Sequence, residues 1–229
     1  MKRIRLVRHG ESAANAGAAS HDHASIPLTE KGLLQAQRVA NSITQQPSLI
    51  VASPFSRAQA TAAKSASLFP SVPVEIWPIE EFTYLEPSKC ANTTVIERKA
   101  WVDRYWANAD PGYVDGFGAE SFLEFVGRAR SFLDQLAVNP AADILIFSHG
   151  QFLNLVAWLI EREPVPIDGQ AMAEWRRYEI DHHVPNGCGY MISRGHGNSP
   201  WVLGDSIDLD GSVRPSGLAS SISPARVTI

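Results

Sequence analysis

The chain has 229 residues, of which 45% are hydrophobic and 19% charged, so it can bury a substantial core. Its formal charge of -4 and pI of about 6.0 provide no overall positive field for nucleic acid or an anionic membrane. Charges interrupt the N-terminal MKRIRLVRHG, and no run approaches the ~20 apolar residues of a membrane span. We therefore expect a cytoplasmic protein with two reduced cysteines and no nucleic-acid or membrane partner.

Three short apolar segments share one plan, in which a buried strand runs into a polar turn and then a helix. They are IRLV (4 to 7), LIVAS (49 to 53) and DILIFS (143 to 148). Apolar runs bounded by turn signals are typical of buried strands, and their alternation with helices favours a parallel sheet. The sequence therefore predicts an α/β fold.

Two further segments predict amphipathic helices that cover this sheet. In TEKGLLQAQRVANSI, Thr29 is the expected N-cap, and Leu33, Ala36, Ala40 and Ile43 share one face. In AESFLEFVGRARSFLDQLA, a longer apolar stripe runs along the helix. That stripe consists of Phe122, Phe125, Val126, Ala129, Phe132, Leu133 and Leu136.

The periodicity breaks down between residues 80 and 118, where tryptophan and tyrosine alternate with charges. We interpret this segment as a partly helical insertion that roofs a site. Its aromatic residues are expected to form the core of the roof: Trp101, Tyr105, Trp106 and Tyr113. Its basic residues are expected to form a solvated face, with one or two of them able to bind a second anionic group: Lys89, Arg98, Lys99 and Arg104.

The rest of the chain predicts one domain, residues 1–229, without a clear linker. A second, smaller excursion is expected at 161–185. GYMIS (189 to 193) and WVLG (201 to 204) are typical of a hairpin. Serine, glycine and proline dominate the C-terminal segment, and we expect a loosely held tail at about 206–229.

Cationic side chains follow each of the three predicted strands. Arg8 and His9 follow the first strand, Arg57 the second and His149 the third. In open α/β sheets, ligands bind beyond the carboxyl ends of the strands. Each of these groups also lies beside a predicted helix start, whose free N–H groups favour an anion. The sequence therefore predicts a pocket for one phosphoryl group, which arginine matches with two parallel hydrogen bonds.

Such a pocket can also transfer a phosphoryl group. A histidine beside arginines stays neutral near pH 7, because like charge disfavours its protonated form. A neutral imidazole can take the phosphoryl group, while the surrounding cations stabilise the charge on the equatorial oxygens. The leaving alkoxide needs a proton from a carboxylic acid, for which Glu80, Glu81 and Glu86 are the candidates.

The order of these motifs resembles the histidine phosphatase superfamily, the phosphoglycerate mutase-like proteins. LVRHGES-AAN is similar to the family's first motif, ASPFSRAQATA to the second, GAESFLEFVGR to its Gly-Glu-Ser helix start and IFSHGQFL to its Ser-His-Gly motif. PNGCGYMIS is a weaker match. The resemblance implies a three-layer sandwich with a mostly parallel sheet, helices on both faces and a helical or irregular insertion.

The resemblance also implies roles for individual residues, in an enzyme that needs no metal and no cofactor. His9 would be the phosphorylated nucleophile. The family's Leu-x-Glu pattern matches Ile79-Glu80-Glu81, which favours Glu81 as the proton donor, with Glu86 as the fallback. The residues implied to bind the phosphoryl group or the substrate are Arg8, Asn15, Arg57, His149, Gly150 and Gln151.

Three functions are compatible with this pattern. We favour a phosphatase acting on a small phosphate ester, or alternatively on a phosphoprotein, as a monomer or homodimer. The mutases use the same residues, but only Glu81 and Tyr84 of their longer Glu-Arg-x-Tyr-Gly signature are in register, which favours hydrolysis. A catalytically idle binding module would keep the arginines and lose the acid.

Two other polar clusters receive structural interpretations. HDH (21 to 23) and DHH (181 to 183) imply no third ligand by spacing, so we predict no metal site, although His21 or His23 could line the pocket mouth. We expect Glu11 to pair with an arginine or a helix start rather than to act in the chemistry.

Overall fold

The computed structural model describes residues 1–209 and 212–214, which form a sheet flanked by helices. The strands are β1 (Lys2–Arg8), β2 (Leu49–Ala52), β3 (Val74–Ile76), β4 (Asp143–Ser148), β5 (Gly189–Arg194), β6 (Trp201–Ile207) and β7 (Val213–Arg214). The helices are α1 (Glu30–Ser42), α2 (Ser56–Leu68), α3 (Pro87–Cys90), α4 (Val95–Asn108), α5 (Phe122–Val138), α6 (Gly150–Arg162) and α7 (Gly169–Asp181).

The sheet is mixed, with the order β3-β2-β4-β1-β5-β6-β7. The first four strands in this order are parallel, and β5, β6 and β7 pair antiparallel. In the parallel part, Arg8 at the end of β1 lies beside Ser148 at the end of β4. The carboxyl ends of β1, β2 and β4 therefore meet at one edge of the sheet, and the predicted β5–β6 hairpin is confirmed.

Helices cover both faces of the sheet, which confirms the predicted three-layer α/β sandwich. On one face, Val39 of α1 and Ala62 of α2 pack against apolar side chains of the central strands. On the other face, α4, α5, α6 and α7 share a larger apolar cluster with Ile4 and Leu6 of β1. Burial of both faces explains why the strands are continuous apolar runs.

Helix α1 begins as predicted but presents a different face to the core. The Thr29 hydroxyl accepts a hydrogen bond from the Gly32 amide at 3.0 Å, so the N-cap is confirmed. The predicted face was wrong at Leu33, which is 43% exposed. The buried residues are Gly32, Ala36, Val39 and Ala40. The face is displaced by one residue because Gly32 contacts the turn that follows β1.

Helix α5 confirms its predicted stripe, all seven members of which are buried. Ser121 and Glu124 form a capping box at its start. Phe125 of the stripe stacks on Phe82, with ring centroids 4.2 Å apart. Since Phe82 directly follows Glu81, this contact fixes the backbone beside the predicted acid.

The insertion forms α3 and α4, as expected for a partly helical roof. Tyr105 is buried, and Trp101 and Trp106 pack against the core, but Tyr113 is 38% exposed and was wrongly assigned to the roof core. Arg98 is half-buried and lines a cavity, so it does not belong to the predicted solvated face.

The predicted tail, 206–229, begins inside β6 and includes β7. Residues 210–211 and 215–229 of this prediction lie outside the described residues. Among the helices that the structure describes, none is long and apolar enough to cross a membrane.

Candidate active site

The ends of three strands bring together the four predicted cationic residues. Arg8 and His9 end β1, Arg57 lies in the first turn of α2, and His149 is the N-cap of α6. The His9 and His149 rings pack edge to face with centroids 5.0 Å apart, and the Arg57 Nε donates to the His9 Nε2 at 3.1 Å. We call these four residues the inner end of the site, because they lie at the carboxyl edge of the sheet.

The hydrogen bonds of His9 define its tautomer. Its Nδ1 lies 2.7 Å from the carbonyl oxygen of Gly10, which can only accept, so Nδ1 carries the proton. In the neutral ring Nε2 is then an acceptor, in agreement with the bond from Arg57. The lone pair of Nε2 therefore points toward the guanidinium of Arg57.

Burial is the main reason that His9 stays neutral. Its side chain is only 2% exposed, and desolvation of the charged ring lowers its pKa well below the ordinary value. The positive charges of Arg57 and Arg8 lower this pKa further, and the bond to Gly10 opposes the shift. At neutral pH the ring is therefore uncharged.

Arg8 is held from the C-terminal side of the chain. Its Nη1 donates to the Val184 carbonyl at 2.7 Å and lies 3.2 Å from the Nε2 of His183. Because arginine is only a donor, this histidine nitrogen accepts. The Arg8 Nε is buried and has no hydrogen-bond partner in the described part of the chain.

Arg57 is tied to the loop between β1 and α1. Its Nη1 donates to the His23 carbonyl at 2.7 Å, and its guanidinium lies 4.9 Å from the ring centroid of Phe55. Burial lowers the pKa of Arg57 to about 10, so the side chain stays charged at neutral pH. His21 and His23 both line the cavity, as predicted for its mouth.

The tautomer of His149 follows from its bond with Ser53. The Ser53 Oγ lies 2.8 Å from the His149 Nε2 and accepts from the Phe55 amide at 3.3 Å. We assign the proton of His149 to Nδ1, because the Ser53 hydroxyl then donates to Nε2 and its hydrogen has an acceptor.

Two buried donors of the inner end are thus left without an acceptor. These are the Nε of Arg8 and the Nδ1 of His149, neither of which has a partner among the described residues. Buried polar groups are almost always hydrogen-bonded, so these two donors, both on residues next to His9, leave hydrogen-bonding capacity unused there. Burial, and then the charge of Arg57, lower the pKa of His149 well below its ordinary value.

Of the three acidic candidates, only Glu81 lines the cavity. Its Oε1 accepts from the Gln151 amide in the first turn of α6 at 3.0 Å. Burial raises the pKa of Glu81, although Arg8 and Arg57 oppose the shift. Glu80 points away, to Arg128 at 3.5 Å, as its place in the extended segment predicts.

Glu86 lies elsewhere in the roof. Its carboxylate accepts from the Ser88 hydroxyl at 2.6 Å and packs against Gly116. The geometry therefore separates Glu81 from its fallback.

Asn15 and Gln151 line the cavity as predicted, together with Gly150. The Asn15 Oδ1 accepts from the Ser12 amide at 3.2 Å and from the Asn186 Nδ2 at 3.1 Å. The same Asn186 amide donates to the His9 carbonyl at 3.0 Å. Asn186 therefore joins the loop after β1 to the segment before β5.

Glu11 has the structural role expected of it, with a different cation. Its carboxylate accepts from the Thr29 hydroxyl at 3.0 Å and from the Lys31 ammonium at 2.6 Å. The helix start was predicted correctly, whereas the expected arginine is a lysine. Beside Glu11, the main chain of Gly10 packs directly against the main chain of Gly32. A Cβ on Gly10 would therefore clash with the carbonyl oxygen of Gly32.

Several residues of the site were not found in the sequence. They are Ser53, Thr61, Glu179, His183 and Asn186. Burial raises the pKa of Glu179 to about 7, and its carboxylate is paired with Arg176 at 2.5 Å. Asn186 lies in the PNGCGYMIS segment, Ser53 and Thr61 lie in ASPFSRAQATA and His183 lies in DHH, but these segments gave no role to them.

No group of three histidine, cysteine or acidic side chains within the described ranges is arranged to hold a metal ion. The cavity instead combines positive charge at one end with a carboxyl group at its side. The positive end can bind an anion, and the carboxyl group can exchange a proton with the bound molecule.

Comparisons with known proteins find matches over most of the chain. The model of the histidine phosphatase superfamily (branch 1) matches residues 4–186. The adenosylcobalamin/alpha-ribazole phosphatase of Salmonella typhimurium is 31% identical over 162 residues, which cover 67% of this chain and 77% of that protein. A putative phosphoserine phosphatase 2 of Hydrogenobacter thermophilus is 27% identical over 161 residues, with 70% and 79% coverage.

Solved structures show the same fold. A putative alpha-ribazole-5'-P phosphatase from Escherichia coli is 26% identical, has a TM-score of 0.67 and is matched over 89% of this chain and 95% of that one. A phosphoserine phosphatase from Entamoeba histolytica, in complex with 3-phosphoglyceric acid, is 22% identical with a TM-score of 0.68 and 90% and 96% coverage. The second likeness concerns the fold alone.

Proposed function

The chain belongs to the histidine phosphatase superfamily, and we propose that it hydrolyses a phosphate monoester through a phosphohistidine at His9. The observation that carries this proposal is the His9 ring, whose Nδ1 donates to Gly10 and whose Nε2 lone pair faces Arg57 at 3.1 Å. A neutral, oriented imidazole between two arginines is suited to in-line attack on phosphorus.

In the first step, the Arg57 Nε–H transfers its hydrogen bond from Nε2 to a phosphoryl oxygen. The released Nε2 lone pair forms a bond to phosphorus while the bond from phosphorus to the ester oxygen breaks. Glu81, whose protonated form is favoured because burial raises its pKa, gives its proton to the leaving oxygen. Arg8, Arg57 and the Nδ1 proton of His149 stabilise the phosphoryl oxygens. Asn15, Gly150 and Gln151 are proposed to complete the binding site.

In the second step, water attacks the phosphohistidine. Glu81, now a carboxylate, takes a proton from this water, and the bond between phosphorus and Nε2 breaks. The products are inorganic phosphate, neutral His9 and protonated Glu81, so the cycle closes without a metal or cofactor. Small phosphate esters are the proposed substrates, and the cytoplasmic location and the monomeric or dimeric state stay predictions from the sequence.

The test is to trap the phosphoenzyme. Wild type mixed with an aryl phosphate and quenched in alkali should gain the mass of one PO3 group on the peptide that contains His9. His9→Ala should show no such adduct and lose about three orders of magnitude or more in kcat. An alanine variant as active as wild type would falsify the assignment of the nucleophile.

A further inference from the structure

The cavity continues past the inner end into the roof. It has a volume of about 210 Å³, more than a single phosphoryl group fills. The wall that the roof contributes is mostly apolar, and Thr83 and Arg98 are polar members of it. We call this part the outer chamber, and its apolar side chains and its arginine are Ile26, Leu85, Val95, Arg98 and Val102.

The polar contacts of Arg98 leave most of its guanidinium free. Its Nε donates to the Thr94 carbonyl, one helical turn earlier, at 3.3 Å. It also interacts with the Cys90 thiol, whose pKa is raised by burial in spite of the arginine. In the part of the chain that the structure describes, Arg98 forms no ion pair with a carboxylate.

The carboxylates around the outer chamber are already engaged. Asp115 pairs with Lys89 at 2.9 Å, and Glu179 pairs with Arg176 at 2.5 Å. Glu97, next to Arg98 in the helix, accepts from the Thr94 amide at 2.6 Å in a capping box. These carboxylates are therefore held by partners other than Arg98, and the positive charge of Arg98 stays at the cavity wall.

A half-buried guanidinium beside apolar walls is poorly solvated and lacks a counter-ion. A guanidinium group binds a carboxylate through two parallel hydrogen bonds. Because both partners are charged, these hydrogen bonds are stronger than those between neutral groups. The second end of the cavity therefore has the chemistry to bind an anion separated from the phosphate by an apolar body. This arrangement differs from the inner end, where two arginines converge on one group.

We propose that the substrate is a phosphate ester whose alcohol has an apolar body and a carboxylate at the end remote from phosphate, and that Arg98 binds this carboxylate. This inference rests on the proposed function for the position of the phosphate. It assigns the apolar body to the outer chamber and makes Arg98 a determinant of substrate choice.

Two esters that differ only in charge test the proposal. They are 4-(carboxymethyl)phenyl phosphate and its neutral amide, 4-(carbamoylmethyl)phenyl phosphate, whose phenol leaving groups are closely matched. Wild type should favour the carboxylate by about 10- to 100-fold in kcat/KM, mainly through KM. In Arg98→Gln this ratio should fall to about one, whereas Arg104→Gln, an exposed control on the same helix, should keep it.

Binding separates this inference from the proposed function. Calorimetry with His9→Ala measures the affinities of both esters without turnover, and the carboxylate should again bind more tightly. Adding Arg98→Gln to that variant should remove the difference. Equal binding of the two esters, or equal loss of both in the double variant, would overturn the role of Arg98 even if wild type hydrolyses both. Selective binding without hydrolysis would instead overturn the phosphatase proposal alone.

Discussion

The inner end and the outer chamber belong to one cavity but are built differently. The four residues of the inner end are between 0% and 6% exposed, and each is fixed at a strand end or at the first turn of a helix. The outer chamber is formed by loops and by α4 of the insertion, where Val95 and Arg98 are half-buried. Under the proposed function, the sheet therefore fixes the residues of the chemistry, and the roof determines substrate choice.

The largest effect is expected from a substitution at the inner end, and it should be the same for every substrate. Arg57→Ala should lower kcat about 10²- to 10³-fold for every ester, because it removes a donor to Nε2 and to the phosphoryl oxygens. Lys64→Ala, on the same helix and outside the cavity lining, should stay within about twofold. A loss confined to one ester would place Arg57 in substrate selection instead.

The proton donor gives a similarly large effect that depends on the leaving group. Glu81→Gln should lose about 10²-fold or more in kcat with alkyl phosphates and much less with 4-nitrophenyl phosphate, whose leaving group needs no proton. Glu86→Gln is the matched control, because Glu86 lies outside the cavity lining. A greater loss for Glu86→Gln would move the acid into the roof.

The pH dependence of kcat tests the same assignment of Glu81 as the proton donor. The pKa of Glu81 is raised, so the protonated acid persists above the usual range for a glutamate. As pH rises through that raised pKa, Glu81 loses its proton and kcat for an alkyl ester should fall about tenfold per pH unit. Stopped assays between pH 5 and 9 should show this limb in wild type, and its persistence in Glu81→Gln would contradict the role.

A smaller effect is expected from Ser53, which contacts His149 rather than the phosphoryl group. Ser53→Ala should lower kcat about tenfold, because His149 would no longer be held with its proton on Nδ1. Ser65→Ala is a matched control, since the Ser65 hydroxyl is buried without a partner in the described residues. The 15N shifts of the His149 ring report the tautomer directly, and an unchanged ring in Ser53→Ala would refute this account.

The smallest effect should come from the support of Arg8. His183→Ala should raise KM about three- to tenfold for every ester, because Arg8 loses one of its acceptors. The effect should stay small because Arg8 keeps its hydrogen bond to the Val184 carbonyl. The neighbouring His182 bonds instead to the Tyr178 carbonyl and stacks on that ring, so His182→Ala should leave KM unchanged. Equal effects of the two variants would show that the helix end, rather than the contact with Arg8, matters.

The sequence predicted the inner end because its signals are local. Arg8, His9, Arg57 and His149 each follow an apolar strand, and parallel strands bring their carboxyl ends together. The stripe of α5 was equally clear, because its period matches a helix packed on a sheet. Leu33 was misassigned because the closest contact of α1 is made by Gly32, whose missing side chain leaves no apolar signal.

The partners of these residues could not be found in the same way. Ser53 and His183 act on residues 96 and 175 positions away, and neither interrupts a periodic pattern. Arg98 was grouped with exposed basic residues because the segment around it has no clean period. Whether a charge in such a segment faces solvent or a cavity depends on tertiary packing.

The contact between Gly10 and Gly32 limits which substitutions this enzyme can accept as it evolves. Because main chain rests on main chain, no larger side chain at either position can be accommodated by a rotamer change alone. A library randomised at both positions should return glycine in nearly every active clone. A library randomised at Val95 and Val102 should return active clones with new substrate preferences, so the roof is the evolvable part of the molecule.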